Sequence, residues 1–137
     1  MARILVVEDD QHTSRVISLW LKRNGHEVST AGDGNKALEM IRATHPDLLV
    51  TDVNIPGMDG LNLLELVRAE SLMPRRAIIL TSRCDQMEIE ARASKLGAVV
   101  HPKPFSPLRL TETIESALKS WDGQGGDGIA ARDYVSA

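Results

Sequence analysis

The segment Leu48-Leu49-Val50-Thr51-Asp52-Val53-Asn54-Ile55-Pro56-Gly57-Met58-Asp59-Gly60 reads as a buried strand ending on an acid, a turn-rich loop and the start of a helix. Pro46 stops whatever helix precedes it. A short apolar run bounded by turn signals marks a strand covered on both faces, as in a parallel sheet. Asp59-Gly60 then opens a helix that turns Leu61, Leu64, Leu66 and Val67 inward.

The same unit recurs on either side. Ile4 to Val7 is a first buried strand, and the helix from Thr13 to Asn24 carries Val16, Ile17, Trp20 and Leu21 at helical spacing before Asn24-Gly25 closes it. Trp20 belongs to that stripe, which makes it a core residue rather than a stacking platform. His26 to Ala31 is a weaker strand, Asp33-Gly34 a turn, and Ala37, Leu38 and Ile41 the inner face of a second helix. Ala77 to Leu80 is the fourth strand, Ile89, Ala93 and Leu96 mark a fourth helix closed by Gly97, and Val99-Val100 is a short fifth strand. Ser106-Pro107 supplies an N-cap and a first-turn proline for a last helix through Leu110, Ile114 and Leu118. Five strands alternating with five helices predict an α/β fold: a five-stranded, doubly wound parallel sheet with helices on both faces. After Trp121 apolar periodicity ends, and Asp122 to Gly128 is rich in glycine. The expected division is a domain over 1–121 and a flexible tail or linker stub over 122–137.

The chain has 137 residues, 42% hydrophobic and 26% charged, which suits one domain with its own core. A net charge of −3 gives no long-range attraction for phosphate backbones, so direct nucleic-acid binding is not expected. Arg75-Arg76, the concentrated basic spot, reads as a solvated turn. No apolar run approaches the roughly 20 residues of a membrane span. The run Ile4–Val7 breaks at once into Glu8-Asp9-Asp10, unlike a signal peptide. The single cysteine, Cys84, cannot staple the fold and suits a reducing compartment, so a cytoplasmic location is expected.

Open parallel sheets bind ligands beyond the carboxyl ends of their strands. Here those ends carry Glu8-Asp9-Asp10, Asp52, Thr81-Ser82 and Lys103-Pro104-Phe105. Clustered carboxylates repel and must protonate or share a cation. Oxygen ligands without nearby histidine or cysteine favour Mg²⁺ or another hard ion over zinc. A lysine can neutralise charge and hold a phosphoryl oxygen, and a threonine adds a donor. Together these groups suit phosphoryl transfer to a carboxylate, in which positioning and charge neutralisation carry most of the rate.

Four motifs, in order and each at a strand end, resemble the receiver domain of two-component response regulators, with its CheY-like, flavodoxin-like fold. They are Ile4 to Asp10, Asp52 to Gly60, Ile79-Leu80-Thr81-Ser82 and Lys103-Pro104-Phe105. The resemblance covers about residues 3 to 120 and implies Asp52 as phosphoacceptor, with Thr81 and Lys103 completing the catalytic set. It implies a Mg²⁺ (or Mn²⁺) site from Glu8, Asp9, Asp52 and the backbone carbonyl of Asn54, with Asp9 the direct ligand and Glu8 acting through water. Asp10 falls outside the pair, in a solvated or helix-capping role. The Lys103-Pro104 bond resembles the family's cis peptide.

One departure stands out. The family places an aromatic ring shortly before the lysine, whereas Val99-Val100-His101-Pro102-Lys103 has none and is a residue short. Val100 or His101 takes that switch position beside Thr81. His12, His26 and His45 fall on expected surface or loop positions and are given no role.

The resemblance implies a switch phosphorylated by a sensor histidine kinase or a histidine phosphotransfer protein, an enzyme only towards its own phosphorylation and dephosphorylation. A phosphatase of related fold would carry a second aspartate two residues after the nucleophile, where this chain has Asn54. Loss of phosphorylation altogether sits badly with Glu8, Asp9, Asp52, Thr81 and Lys103 all being present. A stand-alone receiver is the preferred reading, with a receiver cut from a longer regulator as the alternative. The face of the fourth helix, fifth strand and fifth helix, about Met87 to Lys119, is the expected surface for a downstream protein effector and for homodimer contact.

Overall fold

A computed structural model describes residues 2–81, 86–102 and 106–124. Ten elements alternate along the chain: β1 (Arg3–Val7), α1 (Gln11–Arg23), β2 (Glu27–Ala31), α2 (Gly34–Thr44), β3 (Leu48–Asp52), α3 (Gly60–Ala69), β4 (Arg76–Thr81), α4 (Gln86–Lys95), β5 (Ala98–Pro102) and α5 (Pro107–Gln124). The strands form one sheet in the order β2-β1-β3-β4-β5, every pair parallel. The expected architecture is the observed one.

Alternation along each strand divides the core. Leu5, Val7, Leu49 and Ile79 point to one face, where they pack with Leu38, Ile41, Leu63, Leu64, Val67, Ile89 and Ala93 of α2, α3 and α4. Ile4, Val6, Leu48, Val50, Ile78 and Leu80 point to the other, with Ile17 and Leu21 of α1 and Leu110 and Ile114 of α5. Burying both faces explains why the central strands are nearly unbroken apolar runs.

The helix starts follow local chemistry. Asp10, Asp33 and Asp59 are N-caps whose carboxylates accept N–H bonds from Thr13 (3.3 Å), Lys36 (2.7 Å) and Leu61 (2.6 Å). Ser106 does the same for α5, its hydroxyl oxygen accepting the Arg109 N–H at 3.0 Å ahead of the first-turn Pro107. Asn24 caps the end of α1 before Gly25 at φ +89°.

Five details depart from the sequence reading. Leu66 is 43% exposed, and Leu63 is buried in its stead, because the inward stripe of α3 runs through Gly60, Leu63, Leu64 and Val67. On α1 the buried positions are Ser14, Ile17, Ser18 and Leu21, leaving Val16 and Trp20 only half-buried. His26 is not a surface residue: its side chain is 6% exposed, with Nδ1 accepting the Ala2 N–H (3.1 Å) and Nε2 at 2.7 Å from Glu115 Oε2. Arg76 opens β4 and is half-buried, rather than forming a solvated turn with Arg75. Helix α5 runs on to Gln124, so the expected boundary at 121 falls inside it. The tail from residue 125, Cys84 and Lys103-Pro104-Phe105 lie outside the described residues. Among the described residues no helix is long and apolar enough to cross a membrane.

Candidate phosphoacceptor site

Strand order reverses between β1 and β3, since the chain passes from β1 to β2 on one side and then crosses back to β3 on the other. A crevice opens outside the carboxyl ends at such a switch point. The β1–β3 register pairs Val7 with Thr51, so the next residues, Glu8 and Asp52, stand at the same height on neighbouring strands. Both are buried, at 4% and 6% exposure, while Asp9 beside them is exposed.

Main-chain donors orient the two carboxylates. Glu8 Oε2 accepts the Asp10 N–H at 3.2 Å, and Asp52 Oδ1 accepts the Asn54 N–H at 3.1 Å. Asp10 caps α1, its carboxylate accepting both the N–H and the hydroxyl of Thr13. Those bonds, the side-chain one first, hold its carboxyl below the usual range. The capping alternative is therefore the observed one.

Asp52 pairs with Leu80 on β4, which places Thr81 one step further out, buried at 2% exposure. Pro102 pairs with Thr81 and leads into Lys103. The edge thus gathers Glu8, Asp9, Asp52, Asn54 and Thr81 from three adjacent strands, with Lys103 lying outside the described residues.

The donor set fits a hard divalent cation. All candidate ligands are oxygens, two being buried carboxylates and one an exposed carboxylate, and Mg²⁺ prefers one or two carboxylates with waters to a full protein cage. Among the described residues no three His, Cys, Asp or Glu side chains are grouped so that they could hold a metal ion between them, Glu8, Asp9 and Asp52 included.

Register also separates the two switch candidates. Val100 pairs with Ile79 and packs against the core on the α2–α3–α4 face, the face to which Thr81 also alternates. His101 pairs with Leu80 and turns to α5, with Nδ1 at 3.5 Å from the Thr113 hydroxyl. Partial burial, then the Arg109 charge, pushes its pKa down.

The response regulator receiver domain model matches residues 4–115. The chain belongs to the response regulator receiver family. Among curated relatives, the receiver is 37% identical over 135 residues to the transcriptional regulatory protein AfsQ1 of Streptomyces coelicolor, covering 98% of this chain and 59% of that protein. It is 29% identical over 131 residues to the DNA-binding response regulator MtrA of Mycobacterium tuberculosis, covering 96% and 57%. The receiver thus spans less than two thirds of either relative. Among solved structures, the chemotaxis response regulator CheY4 of Vibrio cholerae aligns at TM-score 0.78 with 31% identity, covering 85% of this chain and 98% of that one. A CheY-like receiver domain protein from Methanospirillum hungatei aligns at TM-score 0.81 with 29% identity, covering 90% and 98%.

Sequence reasoning placed Glu8, Asp9, Asp52 and Thr81 at the carboxyl ends of the strands, where the structure has them. It missed Thr51 and the backbone donors of Asp10 and Asn54. The family motif contains Thr51's neighbour but gives no reason to inspect a threonine inside the strand.

Proposed function

We propose that this receiver takes a phosphoryl group on Asp52 from a phosphohistidine on a sensor histidine kinase or a histidine phosphotransfer protein. An Asp52 carboxylate oxygen attacks phosphorus, the P–N bond to the histidine ring breaks, and an acyl phosphate forms. Water later attacks that phosphorus, releasing inorganic phosphate and restoring the carboxylate. The protein is a catalyst only of these two steps on itself.

The observation that carries this reading is the pair of buried carboxylates, Glu8 and Asp52, at one height on adjacent strands at the switch point. Two neighbouring carboxylates repel, and a shared hard cation offsets that repulsion. Glu8, Asp9, Asp52 and the Asn54 carbonyl would hold Mg²⁺ or Mn²⁺, which when bound supplies charge neutralisation at the incoming phosphoryl group. The Asn54 N–H fixes the attitude of the Asp52 carboxylate. Thr81 would donate its hydroxyl to a transferred oxygen, and Lys103 would supply an ammonium.

Val100, on the face of Thr81, takes the aromatic switch position in this reading, so the output signal passes without a swinging ring. The changing surface is the face of α4, β5 and α5, where α4 exposes Met87 (86%) and α5 exposes Leu108 (54%). A downstream protein effector or a second copy would bind there. The expectation of a stand-alone receiver without nucleic-acid contact finds no support among the relatives, two of which are named as DNA-binding or transcriptional regulators.

The test is incubation with acetyl phosphate and Mg²⁺ followed by intact mass. One phosphoryl group is expected, absent with EDTA and in Asp52→Asn. Full labelling of Asp52→Asn would overturn the site.

A further inference from the structure

We infer that Gly60 and Thr51 are positioning residues for Asp52, fixing its main chain and so the direction from which its carboxylate meets phosphorus. The inference rests on Asp52 being the phosphoacceptor. Helix α3 begins at Gly60, directly against the end of β3. A Cβ at position 60 would sit 2.3 Å from the Asp52 carbonyl oxygen, 3.1 Å from its carbonyl carbon and 3.2 Å from Thr51 Oγ1. The two nearest of these atoms are backbone, which cannot rotate aside as a side-chain tip can. Gly60 has no positive φ, so close approach, rather than a left-handed conformation, demands glycine here.

Two hydrogen bonds tighten the consecutive peptides that follow Asp52 and Val53. The Gly60 N–H donates to the Val53 carbonyl at 2.8 Å, and the buried Thr51 hydroxyl donates to the Asp52 carbonyl at 3.0 Å. The Asn54 N–H then ties the Asp52 carboxylate to the loop that follows. The hydroxyl and the loop amide therefore hold Asp52 itself, and the helix start packs against its carbonyl and bonds the next residue. In a reaction whose rate depends on alignment, an ångström of displacement costs on the order of a hundredfold.

The experiment compares the full 137-residue chain with Gly60→Ala, Thr51→Val, Thr51→Ser and the control Gly32→Ala. Gly32 has nothing within 4 Å of an added Cβ. Two quantities are read: Mg²⁺ affinity by titration calorimetry without phosphodonor, and the initial rate of labelling by acetyl phosphate at saturating Mg²⁺. Gly60→Ala is expected to lose at least tenfold in rate and to bind Mg²⁺ more weakly. Thr51→Val loses severalfold with a near-native melting curve, Thr51→Ser recovers most of that loss, and Gly32→Ala matches wild type. Folded Gly60→Ala and Thr51→Val proteins that label within twofold of wild type and bind Mg²⁺ equally would overturn the inference. Should Gly60→Ala not fold, the Thr51 pair decides by the same criterion. An unlabelled wild-type protein would bring down the phosphoacceptor reading itself, and this inference with it.

Discussion

Val100 lies beside Ile79 across the β4–β5 ladder, its side chain on the face of the sheet shared with Thr81, while the next residue turns to α5. A histidine on the opposite face cannot follow the threonine as an inward-swinging ring would. His101→Ala is therefore expected to leave phosphorylation and effector binding unchanged. Equal labelling with lost effector binding would restore His101 as the switch.

His101 nevertheless carries a pH signature. Partial burial and Arg109 disfavour its charged form, so the folded pKa lies below the ordinary value of about 6.5. Above that value both folded and unfolded chains hold the ring neutral and it contributes nothing. As pH falls below it, the unfolded chain takes up the proton first and stability declines, levelling off once the folded ring also charges. Urea titrations between pH 7.5 and roughly 5 should show a shallower decline in His101→Gln than in wild type.

The inward stripe of α3 makes a sharp contrast between two leucines. Leu63→Ala, at a fully buried site, is expected to cost about 2–5 kcal/mol, and Leu66→Ala less than about 1 kcal/mol. Denaturant midpoints measure both; comparable losses would mean that Leu66 is buried in solution.

His26 joins the start of β1 to α5 through Ala2 and Glu115. Because Nδ1 accepts an amide N–H, the proton of the neutral ring belongs on Nε2, aimed at the Glu115 carboxylate. His26→Ala leaves a partly buried amide without its acceptor and should cost about 1–3 kcal/mol, whereas His12→Ala, at an exposed site, should cost almost nothing. Thermal melts of the two variants check the difference.

How much of this was legible beforehand depended on distance along the chain. The strand runs, the caps Asp59 and Ser106, the close of α1 at Asn24-Gly25 and the acids at the sheet edge are local signals, and each stands where the sequence put it. The burial of His26 was not local, because its covering residue Glu115 arrives 89 positions later. Ser14 and Ser18 were passed over as inward residues for a similar reason. Polar side chains lie on the buried face of α1, and periodicity of apolar residues cannot register them. Leu66 failed in the opposite sense: four leucines and a valine crowd α3, and composition alone did not say which of them fell outside the stripe. At the site, Thr51 looked like a strand residue, and only its bond to the Asp52 carbonyl, with the 2.3 Å that a Cβ at position 60 would leave to that oxygen, revealed a backbone held in place.

Trapping the modified side chain tests the central claim most directly. Borohydride reduces an aspartyl phosphate to homoserine, so protein treated with acetyl phosphate and Mg²⁺, reduced and digested should carry homoserine at position 52 and nowhere else. Homoserine at Asp9 or another aspartate, a reduced glutamate, or phosphate that survives on a hydroxyl or histidine would contradict it.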